Sequence, residues 1–123
     1  MNIFLWILQA VLAAAFLGAG LMKLTQPKSK LQENMGWVED FSDNAVKGIG
    51  AAEVLGAIGL ILPAATGIAV ILTPIAAAAL TVTMVGAVIV HLKRGEQSQI
   101  APSVVLGILA LVVAIFRFGP NAF

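Results

Sequence analysis

Three side chains that could exchange a proton or hold a counter-charge sit in stretches that otherwise offer only hydrocarbon. They are Lys23 in "GAGLMKL", Glu53 in "AAEVLGAIGLILP" and His91 in "MVGAVIVHLKRGE". Glu53 has no basic residue nearer in sequence than Lys47. A carboxylate facing lipid costs on the order of 3 kcal/mol even on lenient insertion scales, so it must meet a cation or take up a proton. Lys23 is the expected partner, with His91 as a second donor or a proton exchanger. Two chemistries fit such a trio. One is an interhelical polar clamp that fixes helix register. The other is a ligand or proton-handling site, because ionisable groups buried in membranes mark function disproportionately. A third arrangement, with lysine and histidine reaching to the surface past Glu53, needs no site at all.

The elements that must position this trio follow from composition. Of 123 residues, 60% are hydrophobic and 11% charged, and the mean hydropathy is +1.03. A water-soluble domain of this size could not hide so much apolar surface. The expected class is therefore all-α and membrane-embedded, in a single domain over residues 1–123. Four apolar stretches, at about 3–24, 46–63, 67–91 and 102–118, each suffice to cross a bilayer at roughly 20 residues per span. Continuous apolar runs favour helices over barrel strands, which alternate. The first run lacks a basic leader and is longer than the core of a usual signal peptide, so a retained helix is expected. Pro63 is expected to end the second helix, Pro74 to kink the third near its start, and Pro102 to open the fourth.

Basic residues set the expected orientation. Lys23, Lys28, Lys30, Lys47, Lys93 and Arg94 belong to one side and only Arg117 to the other. Positive-inside counting then puts both termini outside and the charged loops in the cytoplasm of a multi-pass protein of the cell's inner membrane. Lys47 to Glu53 is six residues, roughly 9 Å of helix, so Glu53 falls in the inner leaflet near Lys23 and His91. In the first loop, Leu31, Met35, Val38 and Phe41 recur at helical spacing. A short interfacial helix near 30–42 that covers the cytoplasmic mouth fits them, with Trp37 as interfacial anchor or ligand-stacking ring. Ala15 with Ala19, and Gly48, Ala52 and Gly56, form small-residue stripes that suit close helix packing.

Other chemistries are excluded or unsupported. With no cysteine and one histidine, the chain offers no thiolate, no iron–sulfur ligation and no self-contained metal or haem site. No covalently bound cofactor is expected. No basic tract interleaved with aromatics suggests nucleic acid. Thr66, Thr73, Thr81 and Thr83 are the main polar groups at mid-membrane depth, and each is expected to bond its own helix. They make a weak basis for a channel or transporter.

The same three segments, at 18–24, 51–63 and 84–96, resemble the recurring segments of the DoxX-like family of small four-helix membrane proteins. Lys23, Glu53 and His91 match the lysine, glutamate and histidine of those segments, in order and across almost the whole chain. The resemblance implies a four-helix bundle in a cytoplasmic membrane. The family is functionally mixed. Some relatives are the membrane subunit of a thiosulfate:quinone oxidoreductase, some associate with oxidative-stress enzymes, and distant eukaryotic relatives act as receptor-assembly chaperones.

Two functions follow as expectations. In the first, a redox-associated subunit binds a quinone or another lipophilic molecule beside Lys23, Glu53 and His91, with Met84 and Ala87 as an apolar wall. Quinone carbonyls need donors and their reduction needs protons, which a His–Glu pair near water could supply. Electrons would come from a soluble or membrane redox partner, so the chain is not catalytic alone. In the second, the chain is a non-enzymatic scaffold or assembly factor that holds partner helices, or a second copy of itself, and the trio is a clamp.

Overall fold

The computed structural model describes residues 2–26, 41–119 and 122, and the described residues are helical apart from short turns. The helices are α1 (Asn2–Thr25), α2 (Asp43–Thr66), α3 (Leu72–Arg94) and α4 (Gln97–Phe118). All four are long and apolar enough to cross a membrane. The expected interfacial helix near 30–42, Trp37 included, falls almost entirely outside the described residues. Of that segment, Phe41 lies just before α2.

The helices begin and end for local reasons. Ser42 caps α2, its hydroxyl accepting from the Ala45 amide at 3.1 Å. Gly67 and Gly95 close α2 and α3 in the left-handed conformation, with φ of 72° and 70°. At Gly95 the amides of Gly95 and Glu96 bond back to the carbonyls of Leu92 and His91. This Schellman turn satisfies the end of α3 and fixes the position of Glu96.

Prolines move three expected boundaries. Pro63 does not end α2, which continues to Thr66. Proline has no amide hydrogen to offer the carbonyl four residues back, here that of Gly59. The hydroxyl of Thr73, on α3, donates to the Gly59 carbonyl at 2.9 Å and replaces the missing bond. Residues 67–71 form the connecting turn, so α3 starts at Leu72 and Pro74 falls in its first turn, where its missing amide hydrogen is harmless. α4 starts five residues before Pro102, at Gln97.

Side chains on the inner face of each helix make the core: Leu5, Leu12 and Phe16 of α1, Leu60 of α2, Leu80 of α3 and Val113 of α4. The outer faces are just as apolar. Ile3, Leu55 and Val82 are at least two-thirds exposed, as suits a surface that meets acyl chains and not water. α1 packs most extensively on α2, and α3 on α4, with α2–α3 and α1–α4 contacts closing the ring. Both described ends of the chain therefore lie at one end of the bundle, where Asn2 touches Arg117.

The α1–α2 crossing is a backbone contact. A Cβ added to Gly20 would lie 2.6 Å from the Gly50 carbonyl oxygen, and one added to Gly50 would lie 2.7 Å from the Lys23 Cβ. The close approach runs through Gly20 and Gly50, and not through the Ala15–Ala19 and Gly48–Ala52 spacings expected from sequence. A Cβ at Gly48 or Gly18 would meet nothing within 4 Å. Gly20→Ala should destabilise the bundle by about 1–3 kcal/mol, the usual cost of overpacking, while Gly18→Ala on the same helix leaves it unchanged or slightly firmer. Reversible unfolding of both variants in mixed micelles measures the difference, and equal effects would refute the crossing.

Candidate functional site

Lys23 lies one turn beyond Gly20, and Glu53 one turn beyond Gly50, so the backbone contact brings their side chains together. Lys23 Nζ donates to Glu53 Oε1 at 2.5 Å. Both residues are buried, at 6% and 2% exposure. At such burial the environment is poorly screening, and each charge depends on the other. The carboxylate that stood alone in sequence is answered from α1.

His91 is buried as well, at 7% exposure, but its bond goes elsewhere. Its Nδ1 lies 3.0 Å from Glu96 Oε1. Glu96 also pairs with Arg94, whose Nε is 3.3 Å from the same oxygen. The hydrogen bond to His91 is the main cause holding the Glu96 carboxyl below its ordinary value of 4.5; partial desolvation opposes it and Arg94 adds to it. A depressed carboxyl stabilises the fold above its unfolded value, and that support fades as the pH falls through the folded value. Glu96 thus adds a modest hold on the α3–α4 turn at neutral pH that weakens in acid, while the backbone bonds at Gly95 do not titrate.

A cavity of about 490 Å³ joins these groups. Lys23, Glu53 and His91 all contribute to its wall, as do Met84 and Ala87. Its apolar part follows α1 from Ala15 to Lys23, eight residues or roughly 12 Å at 1.5 Å per residue. Phe41 closes on it from the start of α2, and Ser103, buried on α4, adds a hydroxyl. The volume lies within the roughly 300–1,000 Å³ common for small-molecule sites. Ala15 and Ala19, expected to hold helices together, instead leave this space open. Trp37 lies outside the described residues.

A second polar cluster sits at the other end of the bundle. Gln9 Nε2 donates to the Leu60 carbonyl at 2.7 Å, and Gln9 Oε1 accepts from Arg117 Nε at 2.9 Å. Arg117 also donates to Asn2 Oδ1 at 2.8 Å. The Gln9 and Arg117 side chains are buried, so this network ties α1, α2 and α4 without opening on the cavity. In sequence Gln9 is one polar residue in an apolar run and Arg117 the lone basic residue of its side, and nothing in their spacing joins them. Glu96 was missed because it sits in a charged turn, where a solvated role is the ordinary expectation. Thr66, Thr81 and Thr83 bond carbonyls of their own helices as expected. Thr73 departs from that pattern by serving α2.

Four apolar spans around a buried ion pair define a multi-pass membrane protein, and the family match agrees. The DoxX-like family matches residues 7–113, and the chain belongs to that family. No curated protein and no solved structure matches the chain.

Removing Lys23 alone should strand the Glu53 carboxylate and destabilise the bundle by about 3–5 kcal/mol, as breaking a buried pair does. Adding Glu53→Gln to Lys23→Met should recover much of that loss. A double-mutant cycle on unfolding free energy reads the coupling, and strictly additive losses would sink the pairing.

Proposed function

We propose that this protein is a redox-associated membrane subunit that binds a quinone or a similar lipophilic carbonyl compound in the 490 Å³ cavity, its polar end meeting Lys23, Glu53 and His91. The observation that carries this reading is the placement of three buried ionisable groups on the wall of one otherwise apolar space. A clamp needs the ion pair but has no use for the open volume beside it. The Lys23–Glu53 pair lies on the cavity wall, and an ammonium is the kind of donor a ligand carbonyl calls for. Met84 and Ala87 offer the ring an apolar seat. With no cysteine in the chain, electrons in this reading come from a partner protein. The basic residues at the Lys23 end, namely Lys47, Lys93 and Arg94, put that end in the cytoplasm under the positive-inside rule, where a soluble donor can reach it.

Binding is tested with decylubiquinone titrated into the protein in nanodiscs, followed by quenching of tryptophan fluorescence. Saturable quenching is expected in the wild type. Ala87→Phe, which places a ring inside the cavity, should weaken it at least tenfold with helicity unchanged. Equal, non-saturating quenching in both proteins would mean that the probe merely partitions into lipid, and the clamp reading would replace this one.

Orientation is tested separately. A fluorescent reporter that matures only in the cytoplasm should stay dark when fused after Phe123 and shine when inserted between Lys93 and Gly95. The reverse pattern would place the polar trio in the outer leaflet and remove access by a cytoplasmic donor.

A further inference from the structure

The acid that serves His91 is not Glu53. It is Glu96, five residues on, held in place by the Schellman turn at Gly95. Glu96 itself does not line the cavity, whereas His91 does. A carboxylate only accepts hydrogen bonds, so the nitrogen facing it must carry hydrogen. In the neutral ring that hydrogen sits on Nδ1, and Nε2 is left with its lone pair. Nε2 takes no bond among the described residues. In that form Nε2 is an acceptor, on a ring that lines the cavity.

We propose that Glu96 is a positioning residue that holds His91 in the Nδ1–H form, so that the cavity presents Nε2 as an acceptor for a ligand hydroxyl. This assignment builds on the cavity-binding reading above and sharpens it. The group that meets His91 is the O–H of an apolar phenol or of a reduced quinol, since the rest of the wall beside it, Met84 and Ala87, is apolar. Two features support a positioning role for Glu96. Arg94 holds the same carboxylate oxygen, which restrains the carboxylate from two sides. The Glu96 carboxyl, held below its ordinary value chiefly by the hydrogen bond to His91, also stays an acceptor at neutral pH.

The single histidine makes the test direct. Protein carrying ¹⁵N-labelled histidine and reconstituted in nanodiscs gives one pair of imidazole nitrogen signals, whose shifts and proton couplings report which nitrogen bears hydrogen. The wild type should show the Nδ1–H form. Glu96→Ala should lose it in favour of Nε2–H or a mixture, and Glu96→Gln should keep it, since the amide oxygen still accepts. A wild type in the Nε2–H form, or a Glu96→Ala spectrum identical to wild type, would overturn the positioning role whatever the cavity binds. Decylubiquinol, kept reduced, should then shift the Nε2 signal of the wild type more than decylubiquinone does. A response as large to the quinone overturns the hydroxyl assignment. No response to either probe, with the tautomer result intact, rejects cavity binding of quinones and leaves Glu96 as the residue that orients His91.

Discussion

The ion pair between Lys23 and Glu53 is the constraint around which the bundle is arranged. Two charges buried in a poorly screening interior are tolerable only in contact, and here that contact is made beside the point where the α1 and α2 backbones approach closely. Gly20 and Gly50 make that approach possible, one turn before the lysine and the glutamate. On the other side of the pair from that contact, α1 faces α3 and α4 across the cavity, whose wall takes only Ile49 and Glu53 from α2.

The opposite end of the bundle solves a different problem. α2 contains a proline one turn before its end, and lipid offers no water to satisfy a freed carbonyl. Thr73 supplies the bond from α3, and Gln9 adds one from α1 to the neighbouring Leu60 carbonyl. Arg117 then joins α4 to the same glutamine. One end of the molecule is therefore tied by hydrogen bonds that link all four helices. The other sets its polar side chains along a cavity wall.

Much of this was legible in the sequence. The four spans follow from apolar length alone, and the Lys23–Glu53 partnership follows from the cost of an unpaired carboxylate among hydrocarbon. Which glycines carry the crossing was not legible, because small residues recur at several helical spacings and only the relative rotation of α1 and α2 selects Gly20 and Gly50. The partner of His91 was hidden for a related reason. Intramembrane depth suggested Glu53, whereas a single left-handed residue, Gly95, folds the chain back and brings Glu96 to the ring. Helix ends near prolines were misplaced because a sequence shows the missing amide hydrogen but not the hydroxyl on another helix that compensates for it.

The contact between Gly20 and Gly50 bears on how such a chain enters the bilayer. Alone, α1 would carry an ammonium into lipid and α2 a carboxylate, each a penalty of about 3 kcal/mol. Joined at the glycines, the two helices present to lipid a surface whose charges are already neutralised and enclosed. The energetically sound cargo for the insertion machinery is the α1–α2 hairpin as a unit. A helix released before its partner would be drawn back toward water at the end where its charge lies. Biogenesis and the finished fold thus place the same demand on two residues without side chains.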